Sequence, residues 1–283
     1  MEQQFLSNLA TIKRTLIEIL KDFSKICELN DINYSLAYGS MLGAARHKGI
    51  IPWDDDIDIF MWRSDYEKFK KLSNQLSKNF KLIEPGTPKG KFYDSIPKIV
   101  AEGKFIYRST AETEYYDNIY NQAWIDIFII DKTFAGKRFN KQKRLNTYLY
   151  GLALSKRRKI HLSRYKNFSQ KIGVFVLSRL GKLRSLETIL KRKETNAKKY
   201  SEDTTADSCA IFCQPQLPNI ICYPIKLFSQ KYVKIEFEDL NVLVFSNYEE
   251  ILENRYGDWR KLPPEQEQKP KHTEMDFSSK YKD

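Results

Sequence analysis

Carboxylates embedded in an apolar run constrain this chain more than any other feature. Across residues 54–61 acids alternate with apolar side chains, most clearly in Asp56-Ile57-Asp58-Ile59. Alternation at every second position is the period of a strand with one buried face. Read as a strand, the run puts Asp54, Asp56 and Asp58 on one face and turns Asp55 to the other. Three like charges on a face held in place by the core repel one another unless a cation neutralises them. Carboxylate oxygens of this kind suit Mg2+ or Mn2+, ions commonly held by one or two carboxylates while substrate phosphates complete the shell. A further acid sits in a similar setting. Ile125-Asp126-Ile127 places Asp126 inside an apolar strand over 124–130, where a charge needs a partner or a metal.

Upstream of the acids, a short apolar run over 34–38 reads as a buried strand that leads into Gly39-Ser40 and then a helix over 41–48. Glycine lets the backbone approach a phosphate, serine adds a hydroxyl, and a helix N-terminus favours an anion. The remaining pattern alternates helix and strand. A helix over 5–28 carries Leu9, Ile12, Leu16, Leu20, Phe23 and Cys27 at helical spacing. Ser64 with Glu67, and Ser246 with Glu249, have the spacing of capping boxes that open two further helices, the second ending at Gly257. Strands are expected over 80–84, 95–100, 105–108 and 233–245. The fold class is therefore α+β, a mixed arrangement interrupted by a basic helical section.

Charge is distributed very unevenly. Residues 132–200 hold 21 Lys and Arg against two acids, Glu187 and Glu194, although the whole chain has a net charge of only +12. Such a block attracts an anionic partner: lipid, a phosphate-rich glycan or nucleic acid. The aromatic-basic repeat of an RNA reader is missing, so nucleic acid is not expected. Val174, Val176, Leu177 and Leu180, flanked by Lys171, Arg179, Lys182 and Arg184, suit a peripheral contact with an anionic membrane. No window of about twenty apolar residues is present to span one. The N-terminal segment, with acids and lysines throughout, is unlike a signal peptide, which points to the cytoplasm or to the cytoplasmic face of a membrane. Cys27, Cys209, Cys213 and Cys222 fit that compartment as buried free thiols. A zinc site would need Cys222 and His272 beside Cys209 and Cys213, four apart and one turn from each other on a helix.

The segment Ala37-Tyr38-Gly39-Ser40-Met41-Leu42-Gly43-Ala44-Ala45-Arg46-His47-Lys48-Gly49-Ile50-Ile51-Pro52-Trp53-Asp54-Asp55-Asp56-Ile57-Asp58 resembles the signature of the LicD family, and Trp124-Ile125-Asp126-Ile127-Phe128 resembles its second motif. Phe237-Glu238-Asp239, Tyr256-Gly257-Asp258-Trp259, Leu262-Pro263-Pro264 and His272 are similar to the family's C-terminal tail. The order apolar-Gly-Ser, then Asp-apolar-Asp, then a later apolar-Asp-apolar also resembles the wider nucleotidyltransferase superfamily. The resemblance implies a nucleotidyltransferase-like mixed sheet flanked by helices. With the charge and helical pattern, the expected division is a nucleotidyltransferase-like catalytic core at 1–131, a basic, mainly helical section at 132–220 that carries no recognised motif, and C-terminal strands and a helix at 221–283.

The resemblance further implies Mg2+- or Mn2+-dependent transfer of a phospho-alcohol, phosphocholine-like, from a CDP-alcohol donor to a glycan or lipid-linked glycan acceptor, with release of CMP. Fukutin-like enzymes, which use CDP-ribitol, are similar in the first motif. By position, Asp56, Asp58 and Asp126 would hold the metal, and Gly39 and Ser40 the donor phosphates. Asp54 would be a further ligand or would position the acceptor, and Asp54 or Asp126 would take the hydroxyl proton. Arg46 or Lys48 would neutralise the pyrophosphate or else pair with local acids; Lys98 is a similar phosphate candidate, and His272 a tail contact to substrate. His47 and Trp53 are read first as packing residues. A rival enzyme class would transfer the nucleoside monophosphate itself and release pyrophosphate; a non-enzymatic reading would make the acids structural and leave binding to the basic section.

Overall fold

The computed structural model describes residues 9–165, 167–214, 220–228 and 230–268. Helix α1 (Leu9–Leu29) forms because Ile12, Leu16, Ile19, Leu20, Phe23, Ile26 and Cys27 fall on one face, and all of them are buried. The chain continues through β1 (Ser35–Leu36), α2 (Tyr38–His47), β2 (Asp58–Trp62), α3 (Arg63–Leu72), β3 (Phe80–Ile83), β4 (Lys98–Phe105), α4 (Ala111–Tyr115) and β5 (Gln122–Thr133). Three helices follow, α5 (Lys137–Ala153), α6 (Phe168–Leu180) and α7 (Leu186–Ala197). The described chain then runs through β6 (Ser208–Ala210), β7 (Tyr223–Pro224), the hairpin β8 (Tyr232–Phe237) and β9 (Leu240–Phe245), and α8 (Tyr248–Tyr256).

Seven strands make one mixed sheet in the order β1-β2-β5-β4-β3, with β6 pairing β5 and β7 pairing β6. Only β2 and β5 run parallel; the other pairs are antiparallel. This is the α+β architecture the sequence implies, with helices packed on a curled sheet. The parallel pair has a consequence for chemistry, because in its register Asp58 lies beside Asp126. A buried ion pair fixes the far end of the same two strands. The Arg63 guanidinium, where β2 gives way to α3, donates to both carboxylate oxygens of Asp131 on β5 at 2.7 and 3.0 Å, and Asp131 is fully buried.

The basic section packs around a second small core, in which Phe92 from the first part joins Leu149, Leu152, Leu154, Leu186 and Ile189. It is tied to the sheet by hydrogen bonds: Thr133 Oγ1 donates to Gln142 Oε1 at 2.5 Å, and the Lys193 ammonium donates to the Phe212 carbonyl at 2.8 Å. Helices α5 and α7 are clamped by reciprocal amides, Gln142 to the Asn196 carbonyl and Asn196 to the Gln142 carbonyl, at 2.7 and 2.9 Å.

Several local expectations change. The strand read over 54–61 begins only at Asp58, so Asp54 and Asp56 lie on the irregular segment before it. The turn after Pro52 persists because the Asp54 N–H bonds the Ile51 carbonyl at 2.8 Å, while Lys13 reaches from α1 to the carbonyls of Ile51 and Pro52. Neither expected capping box forms. Helix α3 starts one residue before Ser64, where Arg63 is drawn to Asp131, and the Ser246 N–H is used at the base of the hairpin, on the Lys231 carbonyl. A reciprocal box appears instead between Thr110 and Thr113, opening α4. In place of the strands read over 95–100 and 105–108 there is one strand, β4, over 98–105, with an irregular register between Val100 and Phe105 and Gly103 at φ +79°; residues 95–97 and 106–108 lie outside it.

Candidate active site

Asp58, Asp126 and Lys98 form one row across β2, β5 and β4, since Asp126 is the register partner of both the others. Residues paired in this way present their side chains on the same face. The Lys98 ammonium, almost wholly buried, bonds Asp126 Oδ1, lies 3.3 Å from Asp94 Oδ2 and sits 5.0 Å from the Trp124 ring centre. The Trp124 indole N–H donates to the other oxygen of Asp126 at 3.3 Å. At the neighbouring helix, Ser40 Oγ accepts the backbone N–H of Asp58 at 2.8 Å, and the Ala37 N–H bonds the Asp58 carbonyl at 2.8 Å. The first turn of α2 is thereby fastened to the start of β2. Gly39 lies in that turn, and a Cβ built there would come 2.8 Å from Asp54 Oδ2. Glycine at this position lets a carboxylate rest close to the helix N-terminus, where the dipole favours it.

Electrostatics shows a crowded anionic site. Burial pushes the Asp58 carboxyl well above the usual aspartate range, and Asp56, Asp126 and Asp54 push it further. Asp126 is raised as well, by burial first, with Lys98 pulling the other way. Burial works against the Lys98 ammonium, but Asp126 and Asp94 outweigh it and hold its pKa above the ordinary lysine value. Tyr107 is raised by burial and by the nearby Asp55 and Asp56. Although irregular, the 54–56 segment therefore keeps its acids close to the β2–β5 row.

The donor set fits a hard divalent cation in kind. The groups around Asp58 are carboxylates, and their mutual repulsion is what such an ion relieves. Among the described residues no three His, Cys, Asp or Glu side chains are grouped to hold an ion by themselves. Asp126 is already engaged by Lys98 and Trp124.

The other site residues read from the sequence separate into those near the row and those away from it. Lys98 is in the row. Arg46 donates to the carbonyls of Trp259 and Lys261 at 3.1 and 3.0 Å and to His47 at 3.0 Å, which anchors the segment after α8. Lys48 forms an exposed pair with Glu236 at 2.9 Å. His47 meets Trp53 edge-on at 5.9 Å, a packing contact. His272 lies outside the described residues. Cys209 is on β6 and Cys213 in the segment after it, so the two are not on one helical turn; burial raises both thiols, that of Cys213 to about 11.

Sequence reasoning missed several contributors. Lys13 and Glu238 shape the segment that carries the acids, the latter accepting the Ile50 N–H at 2.9 Å. Asp94 shares the charge of Lys98. The Arg255 guanidinium lies 4.4 Å from the centre of the Tyr38 ring, next to Gly39, and Gln214 donates to the Tyr38 hydroxyl at 2.6 Å. Only Glu238 had a signal, its place in the Phe237-Glu238-Asp239 motif.

Facing carboxylates on a parallel strand pair thus lie beside a Gly-Ser helix N-terminus, in a chain that is similar to transferases of phosphate-containing groups. Residues 31–148 match the family described as LicD/FKTN/FKRP, nucleotidyltransferase domain. The chain is similar to the lipopolysaccharide cholinephosphotransferase LicD of Haemophilus influenzae, at 27% identity over 264 residues, 90% of this chain and 92% of that protein. More locally, it is 39% identical over 59 residues to the human ribitol 5-phosphate transferase FKRP, covering 21% of this chain and 12% of that protein. It is also 39% identical over 61 residues to an uncharacterized protein of Rickettsia typhi, 22% of this chain and 20% of that one.

Proposed function

We propose that this protein transfers a phospho-alcohol, phosphocholine-like, from a CDP-alcohol to a hydroxyl of a cell-surface glycan and releases CMP. The observation that carries this reading is the Asp58–Asp126–Lys98 row beside the first turn of α2, within the segment that matches the family. The similar proteins are named as transferases of phosphate-containing groups, one of them acting on lipopolysaccharide.

Asp56, Asp58 and Asp126 would offer carboxylate oxygens to Mg2+ or Mn2+, and phosphate oxygens of the donor would complete a ligand set that the three acids do not form by themselves. Bound there, the ion supplies neutralisation of the charge that develops on the transferred phosphate. The protein's own groups do the rest. Lys98 holds one oxygen of Asp126 and Trp124 the other, so that carboxylate keeps a fixed direction. The first turn of α2, which carries Gly39 and Ser40, would direct its backbone N–H dipoles toward the donor phosphates. Asp54, next to Gly39, takes the proton of the attacking hydroxyl, and CMP leaves on the opposite side of the phosphorus. The acceptor is a lipid-linked glycan met at the cytoplasmic face of a membrane, which the protein contacts peripherally through residues 132–200. No helix among the described residues is long and apolar enough to cross one.

The test is product analysis with a panel of CDP-alcohols, Mg2+ and a glycan acceptor. CMP together with a phosphodiester-linked product is the expected outcome. Pyrophosphate release from a nucleoside triphosphate, with no CMP from any CDP-alcohol, would establish nucleotidyl transfer instead.

A further inference from the structure

Helix α6 is apolar on two sides, one packed inward and one turned outward. Phe168, Ile172, Phe175, Val176 and Leu180 recur at spacings of three and four, so they lie on one face, and each is about half exposed or more. Leu183, just past the helix, is 83% exposed and extends the stripe. The inner side is where the packing lies. Val174 and Leu177 join the second core, a Cβ at Gly151 would strike Leu177, and one at Gly181 would strike the Leu152 carbonyl. This packing fixes the inner side of α6 and so sets the direction of the outward stripe. From Phe168 to Leu180 it is about 18 Å long at the rise of an α-helix, larger than the scattered apolar residues of an ordinary surface.

Beside this stripe opens a groove of about 320 Å³, lined by Ser155, Arg157, Arg158, Phe175, Arg179 and Lys182, with Ile160, Leu162 and Ser178. It has four cations and no acid in its lining. Two of the cations are fixed in direction: Arg157 donates to the Tyr93 carbonyl and to the Tyr150 hydroxyl, and Arg158 bonds Glu112 at 3.0 Å. The Arg179 guanidinium lies 5.1 Å from the Phe175 ring centre, at the seam between groove and stripe.

We infer that this face is a lipid-binding site: α6 rests on an anionic phospholipid bilayer, with its stripe in the acyl boundary and a lipid phosphate in the Arg157–Arg158–Arg179–Lys182 groove. It rests on the peripheral membrane contact put forward above and gives that contact residues and a ligand. Charge complementarity selects the occupant. A soluble glycan satisfies the cations but leaves the apolar stripe in water, whereas a phospholipid surface presents phosphate and hydrocarbon side by side at the spacing of a snorkelling side chain.

The experiment is co-sedimentation of the full chain with vesicles of phosphatidylcholine alone and of phosphatidylcholine with phosphatidylglycerol, at low and high salt. The wild type should bind the anionic vesicles at low salt, be released by salt, and leave the neutral ones unbound. Arg179→Ala with Lys182→Ala should weaken binding roughly thirtyfold, about fivefold per cation. Phe175→Ser with Leu180→Ser should weaken binding to the anionic vesicles at low salt too, although every cation is retained. Both pairs lie on the surface, and their unchanged thermal unfolding would show that the fold survives. CMP release from a soluble donor and acceptor, measured in parallel, should be unaffected, so a failure of sedimentation is separable from a failure of the catalytic reading. Equal binding to both vesicles, binding to neither, or binding that neither variant changes would overturn the proposal. Capture on dextran sulfate without vesicle binding would overturn it too, in favour of a soluble polyanion.

Discussion

Asp58 and Lys98 make opposite predictions, although they stand in one row. Asp58 is raised by burial and by three neighbouring carboxylates, so its ionised form is a burden on the metal-free fold. A carboxyl whose folded value is raised contributes no penalty below the ordinary aspartate range; stability is lost as pH rises through the raised value. Asp58→Asn should therefore raise the melting temperature of metal-free protein by a few degrees at neutral pH. The gain should shrink as pH falls toward the ordinary aspartate range. Ser40 still caps the backbone N–H at that position, so the local structure should persist. Thermal scans of both proteins across that range, with chelator, check the sign; a lower melting temperature for the variant at neutral pH would show that Asp58 is not in a crowded anionic site. Lys98→Met removes the cation that bridges Asp94 and Asp126 and leaves those carboxylates without it. Breaking such a pair costs on the order of 3–5 kcal/mol, read as a shift in a denaturant titration.

At the scale of elements, the ends of β2 and β5 are held by different means, and each can be tested alone. The site end depends on Gly39 and the carboxylate beside it. Gly39→Ala should displace Asp54, because the new methyl comes within 2.8 Å of its oxygen, and should lower turnover about a hundredfold through misplacement. Unfolding should hardly change. The far end depends on Arg63 and Asp131; Asp131→Ala leaves a buried guanidinium and should cost about 3–5 kcal/mol. The same elements show what a sequence can disclose. The acids, the Gly-Ser step, Asp126 and the basic helices were legible, because apolar periodicity and the signature motif mark them locally. The strand start at Asp58 was not: alternation over 54–57 looks like a strand, yet the turn after Pro52 is held open by Lys13 from a helix some forty residues earlier. Ser64 and Ser246 had the spacing of caps, but tertiary bonds set where those helices begin. Arg46 and Lys48 looked like phosphate ligands from their place in the motif, and only the fold shows the partners they already have.

For the whole molecule, the reading joins three parts: a mixed sheet that assembles carboxylates from distant positions, a C-terminal segment anchored on α2 by Arg46, and a basic helical section whose outer face suits a lipid surface. Chelation is the global perturbation that separates them. Chelator should stop transfer and leave vesicle binding intact, and Mg2+ or Mn2+ should restore transfer. The central claim is that the Asp58–Asp126 row is a metal-dependent site of phospho-alcohol transfer. Its most direct test is CMP release from a CDP-alcohol by wild type, Asp58→Asn and Asp126→Asn, each with Mg2+ and with chelator. The account predicts metal-dependent CMP release by the wild type, a loss of about a thousandfold or more in Asp58→Asn, and a large loss in Asp126→Asn that added metal partly recovers. Near-normal, chelator-resistant CMP release by either variant would contradict it.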